Sequence, residues 1–305
     1  MRVCGFHDGA SVGSQQGDTV RRAVELAMMP VEALWLESLK EVPPLSLEAP
    51  RVVVSRLGRG EVLIGGAAPS LKLVLEGEET YQIDGRAYRL QPGQMLLVDG
   101  GAAYEATIRQ GRTRGLCVYL PQLSPGAEQE TLPGGRALLR AGAAVQGGSD
   151  LRKLAGLVHA EDKLDKETAA AIVRAASAAM LVGRNDASEQ IQRLALKRAG
   201  TAQEVANRLE AARAHLHATL DRIVPLAELA QVAGISPFQF SRYFSAAFGV
   251  APARYHRSLR LHHALTLLRS GRVSATEAAE RIGYCELAAF SAAFGREFGF
   301  PPSHV

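Results

Sequence analysis

The last quarter of the chain repeats itself, and nothing else in the sequence restricts the fold as much. At a spacing of roughly 50 residues, Ala230, Gly234, Ile235, Ser236, Phe244, Phe248, Gly249 and Pro252 return in order as Ala279, Gly283, Tyr284, Cys285, Phe294, Phe298, Gly299 and Pro302, with one residue inserted in the second copy. Each copy is expected to be a short helix, a glycine turn and a second helix ending at Phe-Gly. The hexapeptide Phe-Ser-Ala-Ala-Phe-Gly also occurs twice, at 244–249 and 290–295. Pairing those copies would pull both turn glycines out of register, so the identity is taken as a coincidence of an alanine-rich composition.

Helix starts and stops around the repeat can be read in order. Gly200 stops one helix, and Thr201-x-x-Glu204 has the form of a capping box that satisfies two orphan amides of the next. Gly200-Thr201 is therefore the expected domain boundary, followed by a helix over 202–220 with Val205, Leu209, Ala212, His215, Leu216 and Leu220 on one face. Pro225 opens a helix that Gly234 closes, Ser236 caps one that Gly249 closes, and Pro252 opens a long one that Gly271 closes. Ser274-x-x-Glu277 is a second capping box, for a helix stopped at Gly283, and the last helix ends at Phe298-Gly299. A connecting helix of about 18 residues spans roughly 27 Å at about 1.5 Å per residue. With its flanking turns it can set the two second helices roughly 34 Å apart, one turn of duplex DNA, which would let both reach successive major grooves.

Composition bounds the remainder. A chain of 305 residues with 47% apolar content can bury two cores. The net charge of +4 permits a nucleic-acid partner without demanding one. No lysine follows Lys197, so the positive charge at the C-terminal end is carried by arginine, the side chain suited to bidentate phosphate and guanine contacts. Cys4, Cys117 and Cys285 are too scattered for a disulfide framework or a Cys-x-x-Cys metal site and imply a reducing compartment. Cys117 and Cys285 are expected to be core residues, not a nucleophile and a redox switch. Met1–Gly13 lacks a basic segment followed by an apolar one, and no apolar run of about 18 residues occurs, so the expected location is the cytoplasm, with no membrane partner.

The front half has a different character. Val20, Ala23, Val24, Ala27, Val31, Leu34 and Trp35 mark an apolar helical stripe over 20–39, interrupted near Pro30. After Pro43, Pro44 and Pro50, short apolar runs separated by glycine read as strands at 52–57, 62–64, 71–75, 81–83, 87–90, 95–98, 104–108 and 115–120, a small barrel or sandwich. Asp84-Gly85 suits a type I′ hairpin turn, and Pro92-Gly93 a second tight turn. The stretch Gly85–Val98 resembles the cupin-type sensory domain that precedes many bacterial regulators. Catalytic cupins hold a metal with clustered histidines, yet there is no histidine between His7 and His159. The run Glu76, Glu78, Glu79 reads as a solvated hairpin edge, so no metal or other cofactor is expected. A metal-free effector pocket is expected instead, lined by Leu73, Tyr81, Tyr88 and Met95, with Trp35 closing one end.

Beyond Leu120, Pro121, Pro125 and Pro133-Gly134-Gly135 punctuate a linker, and Gly147-Gly148-Ser149 marks another loop. Helices are expected over 150–160, 167–182 and 186–198, with Gly183 capping the second and Asp186 opening the third. Ile191, Leu194, Ala195 and Ala199 form a stripe that suits either a homodimer seam or cover for the neighbouring β-barrel, the latter being preferred.

The C-terminal pattern resembles the AraC/XylS family of bacterial transcription regulators. The residues that carry it are Leu226-x-x-Leu229-Ala230, Ser236-x-x-x-Phe240-Ser241-Arg242-x-Phe244, Phe248-Gly249, Tyr255, Arg260-Leu261-x-x-Ala264-x-x-Leu267-Leu268, Ala278-Ala279-x-x-Ile282-Gly283-Tyr284 and Phe294-x-x-x-Phe298-Gly299-x-Pro301-Pro302. The resemblance implies two helix-turn-helix units on a linker helix behind a regulatory domain. In the first unit Phe240, Tyr243, Phe244 and Phe248 are expected to point inward, leaving Pro237, Phe238, Gln239, Ser241, Arg242 and Ser245 outside. Position within the family motif then implies Phe238, Ser241 and Arg242 as base readers; the second unit is chemically poorer, with Glu286, Leu287, Ala288, Ser291 and Ala292 outward and Leu287, Ala288 and Ser291 the expected base contacts. Phosphate contacts are expected from Arg254, Arg257, Arg260, Arg272, His256 and His262.

The fold class expected is α+β: a cupin-like β-barrel regulatory domain with flanking helices, followed by an all-α double helix-turn-helix domain. The divisions are an N-terminal helical segment (1–50), the sensory domain (51–122), a linker with helices (123–200) and the DNA-binding domain (201–305). The expected partners are double-stranded DNA and a small-molecule effector, with RNA polymerase if the protein activates. The expected function is transcription regulation without enzymatic activity. The rival is a cupin-type enzyme fused to a DNA-binding module, which the histidine-free barrel disfavours.

Overall fold

The computed structural model describes residues 30–42, 48–66, 68–109, 111–123, 137–141, 148–269, 271 and 273–305. Its strands are β1 (Glu32–Leu36), β2 (Arg51–Leu57), β3 (Gly60–Ile64), β4 (Ser70–Glu76), β5 (Glu79–Ile83), β6 (Arg86–Leu90), β7 (Gln94–Val98), β8 (Tyr104–Ile108), β9 (Thr113–Tyr119) and β10 (Ala137–Ala141). They form a six-stranded sheet ordered β1-β2-β9-β4-β7-β10 and a four-stranded sheet ordered β3-β8-β5-β6. The expected barrel is corrected to two separate facing sheets without closure. The β5–β6 hairpin turns as its sequence requires, with positive φ at both Asp84 (48°) and Gly85 (73°).

Two strands were not foreseen. Residues 20–29 of the expected N-terminal helix lie outside the described residues, but Glu32–Leu36 is a strand paired in parallel with β2, Trp35 opposite Val54. An apolar stripe this short fits either period, and pairing with an existing sheet edge decides between them. β10 pairs antiparallel with β7 on the opposite edge.

Alternation along each strand divides the apolar side chains between two cores. Val53, Leu57, Val74 and Tyr119 join Tyr81, Ile83, Tyr88 and Tyr104 between the sheets. Val52, Val54, Leu71, Leu73, Met95 and Leu97 face the other way, onto helices α1 (Gly148–Glu161) and α2 (Lys166–Arg193).

Helix α2 runs through the position where two helices were expected. Gly183 is not a cap, and Asp186 lies within the helix, which ends with Leu194 as its C-cap. Gly183 is used instead for close approach: a Cβ there would lie 2.3 Å from Leu97 Cδ1 of the sheet beneath. The stripe does not cover the β domain: Leu194 is buried in the core of the following domain, Ile191 is half-buried, and Ala195 and Ala199 are exposed.

Helix α3 (Ala199–Ala218) begins ahead of the expected capping box. Its N-cap Arg198 makes no side-chain cap bond, and Glu204 pairs with Arg208 at 2.6 Å and not with the Thr201 turn. The remaining helices follow the sequence signals: α4 (Leu226–Ala233), α5 (Pro237–Phe248), α6 (Pro252–Arg269), α7 (Ala275–Arg281) and α8 (Leu287–Phe298). Ser236 accepts from the Gln239 amide, and Ser274 and Glu277 form the complete capping box. No described helix is long and apolar enough to cross a membrane.

Gly183→Val should lower unfolding stability by about 1–3 kcal/mol through overpacking against the buried Leu97. Urea denaturation measures it, and an unchanged midpoint would mean that α2 and the sheet are not packed as described.

Candidate nucleic-acid interface and ligand cavity

Each repeat folds into a helix pair around an aromatic ladder. In the first, Phe240, Phe244 and Phe248 stack with centroid spacings of 5.4 and 4.5 Å, and Tyr255 meets Phe244 edge-on at 5.5 Å. In the second, Phe290, Phe294 and Phe298 stack at 5.5 and 4.5 Å, and Phe300 takes the part of Tyr255, edge-on to Phe294 at 5.9 Å. The register chosen from the sequence holds: Gly249 is a left-handed cap, whereas Gly295 lies inside α8. The inserted residue falls between Gly283 and the N-cap Glu286.

These ladders turn the opposite faces of α5 and α8 to solvent. Phe238 is 76% exposed, which excludes a core role for it. Arg242 is exposed, with its guanidinium 4.8 Å from the Tyr243 ring, and Ser241 is half-buried. On α8, Leu287 and Ala288 are exposed and Ser291 half-buried; with the two ladders paired, Ala288 stands where Phe238 does, Ser291 where Ser241 does, and the exposed Ala292 where Arg242 does.

The phosphate-contact set is corrected by burial. Arg254, Arg257 and His262 are exposed, and Arg272 lies outside the described residues. His256 and Arg260 are buried. His256 Nε2 donates to the Thr219 carbonyl (2.6 Å), tying α6 to the end of α3. Arg260 Nη1 donates to the Ile282 carbonyl (2.8 Å), with its guanidinium 5.2 Å from the Tyr284 ring. Both therefore position the two units relative to each other. Gly283 completes the junction: at φ 75°, a Cβ there would stand 2.5 Å from the Asp221 carbonyl oxygen, so the second turn packs on the loop before α4.

Sequence reasoning missed three further side chains here. Arg208 Nη1 donates to the Gly234 carbonyl at 2.8 Å, closing the exposed carbonyl end of α4. Arg222 binds Glu228 through both guanidinium nitrogens, and with His215 it holds that carboxyl down at about 2. Their only sequence signal was an arginine or glutamate near a helix end. Cys285 is exposed, not a core residue, because the inserted residue lengthens its turn.

A cavity opens between the two sheets of the β domain. Of the expected lining, Tyr81 contributes. Leu73, Met95 and Trp35 face the helical layer, and Tyr88 sits in the same core without lining the cavity. The error for the first group is one of parity, since neighbouring residues on a strand face opposite ways. The lining instead includes Lys72 and Glu79. Glu79 is buried, contrary to the solvated-edge reading; burial pushes its carboxyl up, opposed by hydrogen bonds from Tyr81 (2.5 Å) and Thr113 (2.9 Å). Cys117 is half-buried on the cavity wall, hydrogen-bonded to Lys72, and so is not a plain core residue. Among the described residues, no group of three or more His, Cys, Asp or Glu side chains converges to hold a metal.

This geometry defines a double helix-turn-helix domain joined by an 18-residue linker helix. Residues 229–305 match the family model described as a helix-turn-helix domain, and that region is a domain of the AraC type. The chain is 33% identical over 87 residues to the HTH-type transcriptional regulator GbdR of Pseudomonas aeruginosa, covering 28% of this chain and 24% of GbdR. It is 34% identical over 92 residues to the uncharacterised HTH-type transcriptional regulator YidL of Escherichia coli, covering 30% and 31%. The match thus spans less than a third of each relative. Among solved structures, the C-terminal domain of the response regulator AraT from Geobacillus stearothermophilus is 26% identical, covering 33% of this chain and 84% of that one, with a TM-score of 0.32.

His263 on α6 supplies a pH test of this assembly. Burial holds its imidazole down at about 4, helped by the nearby charges of Arg89 and Arg281 and opposed by that of Glu78. Below the ordinary value of 6.5 the unfolded chain takes up a proton that the folded one refuses, so stability falls as pH drops from 6.5 towards 4. His263 should account for about 2 kcal/mol of loss between pH 7 and pH 5. Urea unfolding at both values should show His263→Leu losing correspondingly less than the native chain; equal losses would place His263 in contact with water.

Proposed function

We propose that the protein is a sequence-specific DNA-binding transcription regulator, working in the cytoplasm and controlled by a small-molecule effector held in its β domain. The observation that carries this is the pair of matched helices whose aromatic residues are spent on their own cores while Phe238, Ser241 and Arg242, and Leu287, Ala288 and Ser291, are left outward. The similarity to named transcriptional regulators over the same region supports it. We assign sensing to residues 51–122, connection to 123–200 and DNA binding to 201–305.

In this reading α5 is the principal reader. Arg242 donates bidentately to guanine and Phe238 packs on a thymine methyl, while α8 offers only the Ser291 hydroxyl and small apolar contacts. Arg254, Arg257, His262 and Arg272 touch phosphates, which position the protein without reading sequence. An activator would in addition meet RNA polymerase, and a homodimer would double the half-sites.

Affinity for promoter DNA should fall steeply with salt as arginines release condensed counterions. Against a library of operator variants, Arg242→Ala should cost about 1–3 kcal/mol on the specific site and relax base preference at one position. Ser291→Ala should cost less, at most about 1.5 kcal/mol for one neutral hydrogen bond. Arg257→Ala should weaken every sequence alike. If Ser291→Ala proves more damaging, or Arg242→Ala lowers all sequences equally, α5 is not the principal reader.

A further inference from the structure

The run Leu71-Lys72-Leu73 sets a lysine in the middle of a central strand, and strand pairing puts Cys117 of β9 directly opposite it. Both side chains reach the space between the sheets, where Lys72 is buried and Cys117 half-buried on the cavity wall. The ammonium donates to Tyr104 Oη (2.6 Å), Cys117 Sγ (2.8 Å) and Tyr119 Oη (3.2 Å), which uses all three of its N–H groups. The Tyr119 hydroxyl is bonded to the same sulfur, so in the 3.2 Å contact between the two phenols Tyr104 is the donor. Glu79 feels the lysine's charge from farther away, with its oxygens engaged by Tyr81 and Thr113.

Every donor of this cluster is spent within it, and the chain of donation ends on one atom, Cys117 Sγ. Of the acidic groups bonded to the ammonium, a thiol gives up its proton more readily than a phenol, at about 8.5 against about 10 in water. Burial, then the neighbouring sulfur, keeps the Tyr119 phenol well above its ordinary value, so it stays a donor. Burial opposes the charge on Lys72, but its interactions with Cys117 and Tyr104 hold the ammonium above its ordinary range. A buried ammonium needs an anion beside it, and the sulfur is the atom placed to carry that charge. The thiolate is the nucleophilic form of cysteine, and this one faces an open cavity.

Resting on the reading of the β domain as an effector sensor, we propose that Cys117 is a modification site at which the cavity captures a small, neutral α,β-unsaturated aldehyde or ketone. The capture asks for no free donor. Sγ bonds to the carbon β to the carbonyl, the C=C electron pair passes to the α carbon and carbonyl oxygen, and a proton from water then settles on the α carbon. No group leaves and nothing is oxidised. Apolar walls from Leu36, Val53, Leu57, Ile64 and Ile108 suit a neutral carbon reagent better than a peroxide. A sulfenic acid would also lack a resolving thiol, since the other described cysteine, Cys285, lies in the second helix-turn-helix unit. The thioether removes the sulfur's charge and strands the Lys72 ammonium, leaving Glu79 of β5 to balance it. Because β5 pairs with β6 and β6 packs on α3, that rearrangement reaches the DNA-binding side of the molecule.

The test treats the full chain with limiting methyl vinyl ketone and follows adducts at Cys117 and Cys285 by peptide mass spectrometry. Cys117 should react at least tenfold faster than Cys285, although Cys285 is the more exposed. Lys72→Met should remove that lead and move the pH profile of the Cys117 rate upward without moving that of Cys285. Tyr119→Phe, which keeps the ammonium, should reduce the lead. Promoter affinity should change once Cys117 carries the adduct, and Cys117→Ser should make it indifferent to the reagent. If Cys117 reacts no faster than Cys285, or its lead survives both substitutions, the modification site falls and the effector reading stands. An adduct at Cys117 that leaves promoter affinity unchanged would instead overturn the effector reading, and the sensing role of Cys117 with it.

Discussion

Two buried hydrogen bonds from one face of α6 govern how the two reading units stand to each other. His256 grips the carbonyl that ends α3, and Arg260 grips the carbonyl that ends α7. A buried donor or acceptor left unmade costs more than the same bond contributes when formed, so each unit is held to the linker helix by groups with no better alternative. Gly283 adds a close backbone approach that any side chain would spoil. Groove spacing is thereby a property of the junction, and the exposed side chains of α5 and α8 only exploit it.

The other junction is α3, which belongs to two cores at once. Ala214 packs into the core between the sheets, whereas Leu209, Ala212 and Leu216 pack into the first helix-turn-helix unit. Along the same helix His217 accepts from Gln94 Nε2 of β7 at Nδ1 (3.2 Å) and donates through Nε2 to Tyr255 Oη of α6 (2.9 Å), which assigns its tautomer. Glu210 and Arg213 form a buried pair (2.7 Å), with the guanidinium 5.6 Å from the Phe248 ring. Such a pair is weak evidence for stability, although removing either partner alone would strand a buried charge. The cavity strand β5 pairs with β6, and β6 packs on α3, so the path from cavity to α5 is short and made of regular elements.

Much of this was legible because local chemistry and global fold agree. The strands between 51 and 119 alternate in the pattern their sheets need, and the C-terminal helices carry their own stops: Ser236, Gly249, Ser274 with Glu277, and Gly299. Errors arose where a partner distant in sequence made the choice. Residues 32–36 became a strand because β2 offered an edge, and α2 ran past Gly183 because the sheet needed a helix surface without a side chain there. Thr201 and Glu204 had the right spacing for a capping box, but the chain was already helical from Ala199.

Sequence alone determined the repeat, the order of helices and turns, and which residues of α5 face away from their own hydrophobic ladder, since periodicity and capping are local properties. Tertiary structure decided which face of each β-strand meets the cavity and which arginines remain in water. A one-residue change of parity moves Leu73 out and Lys72 in. No local signal separates Arg260, bound to the carbonyl of Ile282, from Arg257, which is exposed. Burial is a property of what packs on a residue, and those partners are brought together only by the folded chain.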